Sequence, residues 1–118
     1  MTGGRRVLVL DDEMLVAMML EDMLIDLDFE VVGPFAALEE ALEAVQGEDL
    51  DGAIIDLNLG RGILSTPVAE ALRERGVPFL LATGYGASEQ TDALGHSGLL
   101  GKPFSTGDVQ AALLSILS

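Results

Sequence analysis

The sequence predicts one α/β domain, a five-stranded parallel sheet with helices on both faces. Short apolar runs alternate with amphipathic stretches along the whole chain, which is the pattern of strands that alternate with helices. The runs are apolar on both sides, as strands are when helices cover both faces of a parallel sheet. The 118 residues are the size of one ordinary domain, and we expect that domain to span residues 1–118.

Five apolar runs predict the strands. The second run is followed by Pro34, which we take as a sign that this strand has ended. The third run is apolar throughout except for Asp56. The predicted strands are Arg5 to Leu10, Glu30 to Gly33, Gly52 to Leu57, Val77 to Ala82 and Leu99 to Gly101.

The first two helices are predicted from apolar periodicity. Between Glu13 and Leu27, apolar residues recur at i, i+4, i+7, i+8 and i+11, which lie on one face of a helix. The same kind of repeat runs from Leu38 to Val45, and Gly47 marks the predicted end of this helix.

The remaining helices are predicted mainly from their starting residues. Thr66 followed by Pro67 is typical of a cap and a proline in the first turn. Residues 87–94 form a weaker helical stretch with few apolar positions. Ser105 begins the last helix, and Asp108 stands three residues on, where a capping box has its carboxylate.

The charge balance excludes several classes of partner. The chain has twenty acidic and six basic residues, so the net charge is −14. Nucleic-acid binding relies on Lys and Arg, and anionic membrane surfaces repel such a chain, so we expect neither partner. No apolar run approaches the roughly 18 residues of a membrane span. We find no signal peptide and no cysteine, and we expect a cytoplasmic location.

Polar residues follow four of the predicted strands. Asp11 and Asp12 come after the first strand, Asp56 ends the third, Thr83 ends the fourth and Lys102 follows the fifth. The carboxyl ends of parallel strands meet at one edge of a sheet, where such folds place their sites. For a single pair, a helix cap at Asp12 or a turn would be the better explanation. Four strand ends together indicate a functional site.

These residues form a coherent set for phosphoryl transfer. Carboxylates that lie close together repel, so their ionised state needs a cation, and Mg²⁺ prefers oxygen ligands. The Asp56 carboxylate is then a candidate nucleophile for a phosphoryl group. Lys102, the only lysine in the chain, and the Thr83 hydroxyl are candidates to hold the phosphoryl oxygens.

The pattern resembles the receiver domain of bacterial two-component response regulators. The resemblance covers the whole chain and includes the run Lys102-Pro103-Phe104 after the fifth strand. It implies a flavodoxin-like (βα)₅ fold with strand order 2-1-3-4-5. It also implies that Asp56 accepts a phosphoryl group from the histidine of a histidine kinase or a histidine phosphotransfer protein.

The resemblance also assigns roles at the metal site. It implies that Asp12 binds Mg²⁺ (or Mn²⁺) directly and that Asp11 binds it largely through water. The backbone carbonyl of Asn58 is the implied further ligand, alongside Asp56. The peptide bond between Lys102 and Pro103 is implied to be cis.

The sequence departs from the family pattern at two places. Leu99 stands where receivers usually have an aromatic residue, and the loop from Asp56 to Gly60 lacks the frequent proline. The run Leu81-Ala82-Thr83-Gly84-Tyr85-Gly86 is similar to a subgroup of stand-alone receivers with Phe-Ala-Thr-Gly there. We expect Gly84, Tyr85 and Leu99 to belong to the switch region.

A second apolar stripe on the first helix predicts a docking surface. Leu15, Met18 and Met19 lie about a third of a turn from the core stripe that contains Val16 and Leu20. A helix packed on one side of a sheet needs only one apolar stripe to face the core. The second apolar stripe therefore predicts a surface that contacts the kinase. The alternative is that Met19 and Leu15 are buried under a neighbouring loop.

The function that the sequence predicts is a phosphoacceptor signalling module with an unknown output protein. It would not be an enzyme beyond catalysing its own phosphorylation and slow dephosphorylation. A receiver-like module that works unphosphorylated is the main alternative. A phosphatase with an aspartyl nucleophile fits less well because its two aspartates would stand two residues apart, and a flavodoxin-like cofactor binder would need a Ser/Thr-rich phosphate loop. A piece of a longer regulator or hybrid kinase would have the same pattern.

Overall fold

A computed structural model of the chain describes residues 5–60, 62–83, 97–102 and 104–117. Five parallel strands form one sheet in the order β2-β1-β3-β4-β5, which confirms the predicted fold and strand order. The strands are β1 (Arg6–Leu10), β2 (Glu30–Phe35), β3 (Gly52–Asp56), β4 (Phe79–Thr83) and β5 (Gly98–Gly101).

Four helices lie within the described ranges, close to their predicted positions. They are α1 (Met14–Asp26), α2 (Leu38–Gly47), α3 (Thr66–Glu74) and α4 (Thr106–Leu117). The helix predicted for residues 87–94 lies outside the described residues. No helix in the part of the chain that the structure describes has both the length and the apolar character of a membrane span.

The two faces of the sheet bury separate apolar clusters. Along β1, Leu8 and Leu10 point to the side covered by α2 and α3, whereas Val7 and Val9 point to the side covered by α1 and α4. Each residue of β3 and β4 is buried as well. Burial on both faces explains why these strands are nearly continuous apolar runs in the sequence.

The predicted end of β2 was wrong. The strand continues past Gly33 and Pro34 to Phe35, and its register with β1 shifts so that Leu10 pairs with Phe35. A proline is tolerated here because β2 is an edge strand and the ladder is already irregular. The extension matters for the site, because the Phe35 carbonyl accepts the Asp11 N–H at 3.0 Å.

The helix starts were predicted with mixed success. The capping box of α4 is confirmed, because the Ser105 N–H donates to Asp108 Oδ2 at 2.9 Å and the Asp108 N–H donates to Ser105 Oγ at 3.1 Å. The cap predicted for α3 was wrong by one residue. Ser65 occupies the cap position, Thr66 is the first helical residue, and no side chain caps the helix.

Candidate functional site

The three predicted aspartates lie together at the carboxyl edge of the sheet. Asp56 is the last residue of β3, which pairs with β1, and Asp11 and Asp12 directly follow β1. One carboxylate oxygen from each aspartate lies within 4.8 Å of the others. Asp11 is 1% exposed and Asp56 is 8% exposed, whereas Asp12 is open to solvent.

The backbone around Asp11 fixes the orientation of its carboxylate. Its N–H donates to the Phe35 carbonyl, and its Oδ1 accepts the Glu13 N–H at 2.9 Å. Asp11 Oδ2 is buried and accepts no hydrogen bond of good geometry, although it lies 3.2 Å from Lys102 Nζ. A buried carboxylate oxygen with only an ion-pair neighbour is free to bind a cation.

The ammonium of Lys102 lies among three carboxylates. Its Nζ is 3.2 Å from Asp11 Oδ2, 3.3 Å from Asp56 Oδ2 and 3.4 Å from Glu13 Oε1. The Lys102 N–H donates to the Thr83 carbonyl at 2.9 Å, which ties the start of this loop to the end of β4. One positive charge therefore faces three negative ones, with Asp12 beside them.

Sequence reasoning missed the role of Glu13. The sequence predicts Glu13 only as the start of the first helix, but its carboxylate is a third neighbour of Lys102. The signal was its position, since it directly follows Asp11 and Asp12 at the same strand end.

Burial and neighbouring charges shift the ionisation of this site. Burial raises the pKa of Asp56, and repulsion from Asp11 adds to the rise, while the attraction of Lys102 opposes it without cancelling it. Burial alone would lower the pKa of Lys102, but attraction from the carboxylates of Asp56 and Asp11 raises it overall. Lys102 therefore remains charged at neutral pH.

The other predicted site residues are distributed as follows. Thr83 is the last residue of β4 and is buried, one position beyond the Ala82 that pairs with Asp56. Leu99 is partly buried and packs against the core cluster under α2 and α3. Gly84, Tyr85 and the peptide bond to Pro103 lie outside the described residues.

Asn58 lies in a short hairpin that sequence reasoning did not predict. Residue 58 pairs with Leu64 in an antiparallel bridge, and the Leu59 N–H donates to the Ile63 carbonyl at 2.8 Å. The Asn58 side chain accepts the Gly60 N–H at 2.8 Å. Glycines at positions 60 and 62 between apolar residues were a hairpin signal.

The second stripe of α1 is exposed, as predicted. Leu15 is 77% exposed, Met18 is 52% exposed and Met19 is 51% exposed, so the alternative of burial under a loop was wrong. A groove of about 350 Å³ runs beside the stripe towards the site, lined by Glu13, Val16, Met19, Lys102 and Phe104. The use of this surface for docking stays a prediction.

The donor set fits a hard cation. Three carboxylates offer oxygens at close range, and a buried Asp11 oxygen lacks a hydrogen bond. Oxygen ligands of this kind suit Mg²⁺, which binds through one or two carboxylates and keeps several waters.

The chain belongs to the response regulator receiver domain family, which matches residues 7–114. Receiver domains are signalling modules of two-component systems and not classical enzymes, and they bind Mg²⁺ at an acidic cluster such as the one formed here by Asp11, Asp12 and Asp56. This assignment disfavours the phosphatase and cofactor-binding alternatives.

Two similar solved structures are solution structures of SdrG. The structure of SdrG from Sphingomonas melonis Fr1 is 40% identical, aligns over all of both chains and has a TM-score of 0.84. The BeF3-activated conformation of SdrG, from Pseudomonas melonis Fr1, is 41% identical over all of both chains, with a TM-score of 0.80.

Two more distant matches are a solved receiver domain with the same fold and a curated regulatory protein. The receiver domain of the sensor histidine kinase PA1611 from Pseudomonas aeruginosa PAO1 was solved with a magnesium ion in its active-site cleft. It has a TM-score of 0.85 at 20% identity, and the match covers 98% of each chain. The transcriptional regulatory protein PdtaR of Mycobacterium tuberculosis is 29% identical over 112 residues, or 92% of this chain. The chain spans 55% of the length of that curated relative.

The raised pKa of Asp56 predicts that Asp56→Asn stabilises the metal-free protein at neutral pH. When a carboxyl group has a higher pKa in the folded state than its usual 3.8, the fold becomes less stable as the pH rises through the folded-state pKa. The reason is that ionisation costs more in the fold than in the unfolded chain. Asn mimics the neutral form. Urea denaturation in a chelator should show a higher free energy of unfolding at pH 7 and no gain below about pH 3.8.

The matched control is Asp22→Asn, which removes the same charge from an exposed position on α1. If Asp56→Asn raised the free energy of unfolding at pH 7 by no more than Asp22→Asn does, ionised Asp56 would not destabilise the fold.

Proposed function

We propose that this chain is a phosphoacceptor module in which Asp56 receives a phosphoryl group from a phosphohistidine. The observation that carries the proposal is the contact of Lys102 Nζ with Asp56 Oδ2 at 3.3 Å, beside the carboxylates of Asp11 and Asp12. A carboxylate nucleophile, a cation for the phosphoryl oxygens and an acidic metal-binding cluster are the parts that phosphoryl transfer to an aspartate needs.

The acidic cluster would hold Mg²⁺ or Mn²⁺. In this proposal Asp12 and Asp56 bind the ion directly, Asp11 binds it largely through water, and Asn58 contributes its backbone carbonyl. The bound ion would neutralise the surplus negative charge and draw the phosphoryl donor towards the edge of the sheet.

The residues of the chain would act in the transfer as follows. The Asp56 carboxylate forms the new bond to phosphorus while the bond from phosphorus to the donor histidine nitrogen breaks, and the electron pair of that bond stays on the nitrogen. Lys102 exchanges its contact with Asp11 for a phosphoryl oxygen, and the Thr83 hydroxyl holds another. Slow attack of water on the same phosphorus would return Asp56 to its free form.

The output would be a change in protein docking. Thr83 ends β4 and directly precedes Gly84 and Tyr85, so a phosphoryl contact at Thr83 acts at the start of the proposed switch segment. Leu99 packs into the core and carries no ring, which favours a switch that does not use an aromatic residue at that position. The output protein is unidentified, and with a net charge of −14 we propose neither nucleic acid nor membrane as a partner.

The proposed extent and location follow the sequence. We propose that residues 1–118 act as one receiver domain in the cytoplasm, similar to the subgroup with Phe-Ala-Thr-Gly at the fourth strand, where this chain has Leu81 in place of the Phe. The match to SdrG over the full length of both chains supports the proposal of one receiver domain.

A phosphoryl donor tests the acceptor directly. Incubation with acetyl phosphate and Mg²⁺ should add about 80 daltons to the intact mass of the wild type. Asp56→Asn should abolish this shift, and a chelator should suppress it in the wild type. Asp49→Asn, which changes an exposed acid ahead of β3, should label normally. Persistent labelling of the Asp56 variant would exclude the assignment, and an unlabelled wild type would favour a module that works unphosphorylated.

The exposed stripe of α1 predicts where the kinase docks. Methionine and leucine beside the acidic cluster suit an adaptable apolar contact. Replacing Leu15 and Met18 with Asp should slow phosphotransfer from the cognate kinase by about tenfold, since 1.4 kcal/mol of lost contact gives that factor. Labelling by acetyl phosphate should stay unchanged.

Leu114→Asp is the matched control, because Leu114 is 54% exposed on α4 and lies outside this stripe. It should leave both reactions unchanged. An equal fall in both reactions for the double variant would mean that the stripe is structural.

A further inference from the structure

The turn of the hairpin after β3 passes close to Asp12. The backbone at Gly60 has a φ of +84°, and a Cβ at this position would lie 3.1 Å from Asp12 Oδ2. Gly62, in the same turn, has a φ of +75°, and a Cβ there would have no atom within 4 Å. The two glycines therefore share the same backbone requirement and differ in their approach to the acidic cluster.

The carboxylate of Asp12 lies near this turn without a polar partner among the described residues. Within the described ranges, Asp12 has no hydrogen-bond or ion-pair partner, in contrast to Asp11 and Asp56. Its side chain is also exposed. Asp12 Oδ2 therefore lies where a side chain at position 60 would meet it, and no polar contact among the described residues holds it there.

The turn itself has little room to retreat. The Gly60 N–H donates to Asn58 Oδ1 at 2.8 Å, and the Gly60 carbonyl accepts the Ile63 N–H at 2.9 Å. The Leu59 N–H donates to the Ile63 carbonyl, and Leu59 is buried. A side chain added at position 60 would therefore displace Asp12 more readily than the hairpin.

We propose that Gly60 is a positioning residue for Asp12, and that its lack of a side chain sets the affinity of the acidic cluster for Mg²⁺. This inference rests on the proposed function, in which Asp12 is a direct metal ligand. Mg²⁺ demands near-ideal octahedral geometry at about 2.0–2.1 Å, so a ligand displaced by a few tenths of an ångström binds it poorly. Ca²⁺ accepts longer and more variable distances and tolerates the same displacement better.

Calorimetric titration of the full chain with Mg²⁺ and with Ca²⁺ tests the proposal. Gly60→Ala should weaken Mg²⁺ binding by about tenfold, the effect expected when support for a metal ligand is lost. Its loss of Ca²⁺ affinity should be several times smaller. Gly62→Ala introduces the same backbone strain without the contact, and it should change the Mg²⁺ affinity by less than about twofold.

A metal-free stability measurement tests the contact itself. Gly60→Ala should lower the melting temperature less in an Asp12→Ala background than in the wild type, because the smaller side chain removes the close approach. Gly62→Ala should lower the melting temperature by the same amount in both backgrounds.

The possible failures are distinct. A wild type that binds no Mg²⁺ would overturn the metal site in the proposed function. If the wild type binds Mg²⁺ but both glycine variants lose the same Mg²⁺ affinity, only the role of Gly60 is overturned. The same holds if Gly60→Ala loses as much affinity for Ca²⁺ as for Mg²⁺.

Discussion

The contact of Lys102 with several carboxylates constrains the rest of the structure. Its Nζ lies 3.2–3.4 Å from Asp11, Asp56 and Glu13, and the first two are buried. Buried carboxylates are costly unless they are paired, and a single ammonium does not compensate all of them. Burial, with added repulsion from Asp11, raises the pKa of Asp56, and the surplus negative charge favours a further cation at this edge. The same charges that strain the metal-free fold therefore provide ligands for a metal.

The sheet brings these groups together. β1 and β3 are neighbours in parallel register, with Leu10 opposite Ile55, so the residues that follow each strand emerge side by side. The extension of β2 to Phe35 holds the backbone of Asp11, and the end of β4 holds the backbone of Lys102 through the Thr83 carbonyl. Burial on both faces of the sheet keeps these strands rigid, so the geometry of the site depends on the core.

The sequence predicted the features that depend on local pattern. Apolar runs located all five strands, and strand-end polar residues located Asp11, Asp56 and Lys102, because parallel strands must end at one edge. The strand order came from the family resemblance. The passage of β2 through Pro34 and the contact of Glu13 with Lys102 depend on tertiary packing, which periodicity does not report. The hairpin at Gly60 depends on backbone angles with positive φ, which a proline cannot adopt.

A crystal structure of the chain grown with Mg²⁺ and beryllofluoride tests the central claim most directly. We expect Mg²⁺ at about 2.1 Å from carboxylate oxygens of Asp12 and Asp56. We also expect beryllofluoride on Asp56, with Lys102 Nζ moved from Asp11 to a fluoride. Beryllofluoride or Mg²⁺ bound away from this edge, or Lys102 unmoved between Asp11 and Asp56 in the loaded structure, would contradict the account.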